Sequence, residues 1–299
     1  MLFGFVGLGQ MGKPMALNLA RQHKVLAFDA RPVLLPEDAP LSLVLAESLE
    51  ELASCDCVFL SLPSADILRK VLLAEDGLGT LLKSGATIVD TSTVEYNATL
   101  ELADALNASG YRFIDAPVSG MQSRAEDGTL TMMCGGEAGD IKDLLPVFET
   151  MASNVLHMGP VGSGQLTKLI NQLLFDINMA ALAEILPISA KLGLNSEKIA
   201  SVVNSGTGRS YASEFFVPHI LNGNFSNGYP MRDAYKDLVS GAELSARHLV
   251  PTPVLAAATA TYQRALLEGH GDKDKGAMVL VFEDLLKTRF RAQGGGNDV

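Results

Sequence analysis

The sequence predicts an α/β domain with a doubly wound, mostly parallel sheet, followed by an all-helical domain. Two observations carry this. Over the first half of the chain, short β-branched or apolar runs alternate with helical spacing, and after the turn cluster Gly159-Pro160-Val161-Gly162-Ser163-Gly164 only helical spacing continues.

The strand candidates are residues 2–6, 24–28, 41–45, 57–62, 86–90 and 111–114. Each is short, rich in Val, Ile, Leu or Phe, and separated from the next by a helix-length stretch. Two further runs, 130–134 and 154–158, flank a helical pattern over 137–151, so the sheet is expected to gain strands near its end. Residues 165–192 read as one long helix, apolar on most sides and closed by Gly193; such a helix is normally buried, and Pro187 should kink or interrupt it. Segments 197–204, 213–221, 231–249, 254–268 and 277–287 keep helical spacing. The glycine-rich end, 294–299, is expected to be disordered.

With 299 residues, nearly half of them apolar, the chain can fill two domains without disulfide staples. Its net charge of −11, with no lysine or arginine run, excludes a nucleic-acid partner. No basic leader precedes the apolar start at Leu2 and no uninterrupted apolar run reaches spanning length, so neither targeting signal nor membrane anchor is expected. Cys55, Cys57 and Cys134 form neither an even disulfide set nor a zinc spacing, which fits a cytoplasmic protein. The five histidines, at positions 23, 157, 219, 248 and 270, have no ligand spacing, so no metal is expected.

Chemistry enters at Gly7-Leu8-Gly9-Gln10-Met11-Gly12, directly after the first strand candidate and at the start of a helix. That context is the dinucleotide fingerprint. Gly7 permits the tight turn, Gly9 lets backbone approach a pyrophosphate, Gly12 allows helix to pack on strand, and the helix N-terminus offers N–H groups to phosphate. Asp29, closing the second strand 22 residues after Gly7, is placed to accept hydrogen bonds from the adenosine ribose. Arg31 either receives a 2′-phosphate or is a solvated loop residue. Because Asp29 would repel that phosphate, NAD is expected over NADP. The domains are set at 1–162 for dinucleotide binding and 163–293 for the helical part.

Beyond this turn, the chain resembles the β-hydroxyacid dehydrogenases, the family of 3-hydroxyisobutyrate dehydrogenase, tartronate semialdehyde reductase and 6-phosphogluconate dehydrogenase. The resemblance runs through Asp90-Thr91-Ser92-Thr93, Asp115-Ala116-Pro117-Val118-Ser119-Gly120, Gly128-Thr129-Leu130, the stretch from Gly164 to Gln172, and Lys236-Asp237-Leu238. It implies a Rossmann-type domain followed by a helical domain of the 6-phosphogluconate dehydrogenase C-terminal type, which binds substrate and dimerises. It further implies hydride exchange between NAD(P) and a short β-hydroxyacid or semialdehyde acid. By the same resemblance, Lys168 is the general acid and base, and Asn171 or Gln172 orients the substrate. Ser119 and the Gly120 N–H hold the substrate carboxylate, while Leu62, Pro63, Thr93 and Lys236 meet the cofactor. The chain departs from the family pattern at Met121, where a second glycine is frequent, and at Arg124, where a small residue is usual. Both lie beside the substrate motif and bear on which acid is taken.

The residues themselves support these roles. A lysine lying alone in an apolar helical stretch loses hydration, which lowers the cost of giving up its proton near neutral pH. Asn171 and Gln172 lie three and four positions on, along the same helix face. Read alone, Ser119 is as well explained as a turn hydroxyl, and Lys236 as half of an exposed ion pair with Asp237. Imine reductases share the architecture but generally lack the lysine and the serine-glycine pair. A dinucleotide-binding sensor without turnover would have no use for Ser119, Lys168 and Asn171 together. The expected partners are a small carboxylate substrate and further copies of the chain in a homodimer or homotetramer.

Overall fold

The structure is a computed structural model and describes residues 1–292; the 294–299 tail lies outside them. The chain divides into two compact units, Met1–Lys168 and Leu169–Val299.

In chain order the first unit has β1 (Leu2–Val6), α1 (Gly12–Ala20), β2 (Lys24–Phe28), β3 (Leu43–Leu45), β4 (Cys57–Leu60), α2 (Ala65–Leu73), α3 (Leu78–Leu81) and β5 (Thr87–Asp90). It continues with α4 (Tyr96–Ala108), β6 (Arg112–Asp115), β7 (Val118–Ser119), α5 (Met121–Glu126), β8 (Leu130–Gly135), α6 (Ala138–Phe148) and β9 (Ala152–Gly159). Strands β3-β2-β1-β4-β5-β6 lie side by side, all parallel. This is the doubly wound order, in which ligands bind beyond the carboxyl ends of the strands where the winding reverses. β8 then pairs antiparallel with β6 and β7 and parallel with β9.

Period-two alternation along the strands divides the core. Phe3, Phe5, Phe59, Val89 and Ile114 face one side with Met15, Leu19 and Phe148. Val6, Val58, Leu60 and Ile88 face the other with Leu68, Leu72 and Leu102. Phe5 stacks on Phe59 at 6.0 Å and Phe148 meets Phe59 edge-on at 6.1 Å. Each such buried side chain contributes about 1.5–3 kcal/mol. Cys55, Cys57 and Cys134 are buried and form no disulfide. Burial pushes the Cys55 thiol up to about 11 and the Cys134 thiol to about 12, and raises Cys57 as well.

The long helix α7 (Ser163–Lys191) starts in the first unit and ends in the second. It passes through Pro187 without the expected interruption, and Gly193 at φ +79° follows its end. By length and composition α7 could cross a membrane. Its middle instead carries Asp176, fully buried and ion-paired with the buried Lys275, and accepting a 3.1 Å hydrogen bond from the Tyr262 hydroxyl. Burial raises the Asp176 carboxyl pKa, and the Lys275 charge opposes that rise. That ion pair is buried in the core of the second unit. Contrary to the expectation of burial, Ile170, Leu174 and Ile185 on α7 are more than half exposed.

The rest of the second unit is α8 (Ser196–Ser205), α9 (Tyr211–Leu221), α10 (Met231–Arg247), α11 (Pro253–Leu267) and α12 (Met278–Leu286). Side-chain caps mark two starts. Asn195 accepts from the Lys198 N–H, and Ser210 with Ser213 makes a reciprocal capping box. Met179, Phe216, Leu238, Tyr262 and Met278 fill the core of this unit.

Candidate active site

The first glycine turn has the geometry its sequence predicts. Gly7 sits at φ +95°, where a Cβ would overlap the Ser61 carbonyl oxygen, and its N–H reaches Phe28 O at 2.9 Å. A Cβ on Gly12 would overlap Gly7 O, so α1 packs against the turn only because both are glycine. Gly9 differs. A Cβ there would meet nothing closer than the Arg31 guanidinium at 3.9 Å, so the turn leaves open space in front of Gly9. A pyrophosphate beside the α1 N-terminus fits that space. Leu8 is buried, Met11 half-buried, and Gln10 exposed with its amide donating to Gln122 at 2.7 Å.

Asp29 ties the end of β2 to this turn. Its Oδ2 accepts the Leu8 N–H at 2.8 Å, and its Oδ1 accepts the Arg31 N–H at 2.9 Å and Arg31 Nε at 3.3 Å. Partial burial pushes the carboxyl up, but the Arg31 and Leu8 N–H groups and the guanidinium outweigh it and hold Asp29 below the usual carboxylate range. The Arg31 side chain is exposed and lies on Asp29.

Past the ends of β4 and β5 the chain forms two loops that hold each other. Leu62 N–H donates to Ser92 Oγ at 2.8 Å, and Ser92 N–H donates to Asp90 Oδ1 at 2.9 Å. Pro63 is exposed at the end of the first loop, and Thr93 is half-buried on the second.

Ser119, Gly120 and Met121 occupy the turn between β7 and α5. Gly120 has φ +142° and Met121 φ +62°. The glycine frequent in the family at position 121 thus answers a left-handed backbone, and this chain holds a methionine there at a cost of about 1–2 kcal/mol. Arg124 lies over Gly120, since a Cβ on that glycine would sit 2.9 Å from Arg124 Cβ and 3.0 Å from Cδ. The guanidinium is exposed and donates to Thr129 O.

Lys168, on the second turn of α7, is 8% exposed. Asn171 is exposed, whereas the Gln172 amide donates to the buried Asp237 at 3.3 Å. Lys236 is half-buried on α10. Among the described residues no group of His, Cys, Asp and Glu side chains could hold a metal ion.

The spacing rules missed the anchorage of the α7 start. Asp115, fully buried at the end of β6, accepts N–H groups from Gly162 at 2.6 Å and from Gln165 at 2.9 Å. Its register partner on β5 is Asp90, also fully buried. Burial pushes each carboxyl up to about 6, and the Asp115 charge adds to the rise of Asp90. Both residues stand inside the family motifs, but nothing in their spacing announces a buried pair.

A doubly wound sheet with an open glycine turn, an acid at the end of β2 and a buried lysine on α7 defines a dinucleotide-dependent oxidoreductase. Comparison with known proteins places it further. Residues 2–159 match the family model for the NAD-binding domain of 6-phosphogluconate dehydrogenase. Residues 162–282 match the model described as NAD-binding of NADP-dependent 3-hydroxyisobutyrate dehydrogenase. The chain is 35% identical to 2-(hydroxymethyl)glutarate dehydrogenase of Eubacterium barkeri, over 98% of its own length and 97% of that protein's. It is 32% identical to mouse mitochondrial 3-hydroxyisobutyrate dehydrogenase, over 91% of this chain and 84% of that one. The solved Mycobacterium tuberculosis 3-hydroxyisobutyrate dehydrogenase with L-serine superposes with a TM-score of 0.80 at 27% identity, covering 94% of this chain and 98% of that one. The chain belongs to the β-hydroxyacid dehydrogenase family and is an NAD(P)-dependent oxidoreductase of hydroxyacids.

Proposed function

We propose that this enzyme interconverts a short β-hydroxyacid and its oxo partner, prefers NAD, and uses Lys168 as proton donor and acceptor. The observation that carries the reading is the burial of Lys168 on a helix whose start is bonded to the sheet carrying the glycine turn. A lysine seldom lies this deep without a task.

When bound, the nicotinamide supplies or takes up the hydride at the substrate carbon. The chain supplies the rest. Gly7, Leu8, Gly9, Gln10, Met11 and Gly12 would line the pyrophosphate, Asp29 would take the ribose hydroxyls, and Leu62, Pro63, Thr93 and Lys236 would border the rest of the cofactor. The Ser119 hydroxyl and the Gly120 N–H bind the substrate carboxylate. In reduction, Lys168 Nζ gives a proton to the oxygen that becomes the hydroxyl; in oxidation it takes that proton back. With the Gln172 amide committed to Asp237, Asn171 is the residue assigned to orient the reacting oxygen. Met121 and Arg124 border the same turn. We assign the Arg124 guanidinium to a second carboxylate on the substrate, a reading favoured by its stem lying over Gly120 and by the dicarboxylate named for the Eubacterium barkeri relative.

A turnover assay tests this with NADH and short oxo-acids bearing one or two carboxylates. Wild type should reduce them, and Lys168→Ala should lose about 10²- to 10⁴-fold in kcat while still binding NADH. Near-wild-type turnover by Lys168→Ala would remove it as the acid. Arg124→Ala should lose activity on dicarboxylates selectively; an unchanged ratio between the two substrate groups would take Arg124 out of the site.

A further inference from the structure

The side chain of Gln165 has no role in the chemistry above, yet it is 2% exposed and both ends of its amide are bonded. Nε2 donates to Ser92 O at 2.7 Å, and Oε1 accepts the Val94 N–H at 3.3 Å. The amide therefore grips the backbone on either side of Thr93. The same loop runs on to the Leu62 N–H through Ser92 Oγ and to Asp90 through the Ser92 N–H. At its other end, Gln165 belongs to the first turns of α7. Its own N–H is held at 2.9 Å by Asp115, which also takes the Gly162 N–H. That carboxylate fits because Gly135 and Gly164 have no Cβ; one on Gly135 would overlap Asp115 Oδ1, and one on Gly164 would lie 2.8 Å from Oδ2.

Lys168 is three residues after Gln165, so their side chains are neighbours on one helix face. All these groups lie within Met1–Lys168. We propose that Gln165 is a positioning residue that fixes Lys168 relative to the Leu62 and Thr93 loops, so that proton donor and nicotinamide border keep one register. The inference rests on the assignment of Lys168 as the acid and of those loops to the cofactor.

The chemistry explains why the link is an amide. A buried carboxylate at position 165 would set its oxygen against Ser92 O, and an apolar side chain would leave Ser92 O and the Val94 N–H without their buried partner. Either change frees the α7 turn and the loop to shift separately. A shift of about 1 Å between reacting groups costs on the order of 10²-fold in rate. The pyrophosphate grip at Gly7 to Gly12 and the ribose contact at Asp29 lie elsewhere, and the Thr93 loop keeps its bonds to Leu62 and Asp90, so cofactor affinity should fall far less than kcat.

The test is a double-mutant cycle on the full-length enzyme with saturating NADH and an oxo-acid that wild type reduces. Gln165→Met should lower kcat about 10- to 100-fold while the Kd for NADH stays within about threefold of wild type. In a Lys168→Ala background, the same substitution should change kcat by less than about threefold, because the group being positioned is gone. A purely structural Gln165 would cost as much in that background as in wild type, and such additivity overturns the proposal. So does a Gln165→Met kcat within threefold of wild type, or a loss of NADH affinity equal to the loss of kcat. If Gln165→Met does not fold, Gln165→Glu runs the same cycle, since it keeps an acceptor for the Val94 N–H while setting an oxygen against Ser92 O in place of the donor. Full turnover by Lys168→Ala alone would instead sink the acid assignment and the cycle with it, whereas a silent Gln165 beside a crippled Lys168→Ala sinks only the positioning role.

Discussion

Asp29 shows how one side chain serves two ends. Bonded to the Leu8 N–H and to Arg31, and held ionised by them, it keeps a negative charge at the position proposed for the adenosine ribose. Two like charges about 4 Å apart near a protein surface repel by roughly 4 kcal/mol before screening. Wild type is therefore expected to show a higher kcat/KM with NAD than with NADP, and Asp29→Ala should move the ratio toward NADP by releasing Arg31. An unchanged ratio in the variant would mean that Asp29 does not select the cofactor. The contributions of Gly7 and Gly12 were legible in the sequence because only glycine satisfies the positive φ and the close helix contact found there. The strain at Met121 was not. A departure from a family pattern marks a position, but only backbone angles show that its methionine is held in the left-handed region.

At the scale of elements, β5 and β6 end in Asp90 and Asp115, side by side and buried. Every strand of the sheet but β7 could be read from its apolar run. β7, only two residues long, could not, because two residues carry no periodicity. The charge pair has a consequence for stability. Each carboxyl titrates near 6 in the folded chain, above its ordinary 3.8, so the native state keeps protons that the unfolded chain has already lost. Stability should accordingly fall as pH rises from about 4 to about 6 and stay lower above that, by at most about 3 kcal/mol for each group. Asp90→Asn keeps an oxygen for the Ser92 N–H and removes one of the two charges. Its melting temperature should fall less than that of wild type between pH 4.5 and 7. Parallel curves for the two proteins would show that the pair does not ionise as buried partners.

For the molecule as a whole, α7 is the helix through which self-association is expected. Its expected burial is met by the chain alone on one side only, while Ile170, Leu174, Ile185 and Ile188 remain exposed. A periodic pattern states that a helix is apolar, but not what covers it. Exposed apolar rows of this kind favour association. Light scattering at micromolar concentration is expected to report a dimer or tetramer, and Leu174→Glu should reduce it. A strictly monomeric wild type would leave these side chains to water and refute the interface. The three cysteines have a practical corollary of a different sort. All are buried, none is bridged, and each thiol is held in its protonated, unreactive form at neutral pH. A single cysteine engineered on the surface would be the one site that maleimide dyes reach in the folded enzyme, so fluorescent labels can be attached with the native thiols left in place.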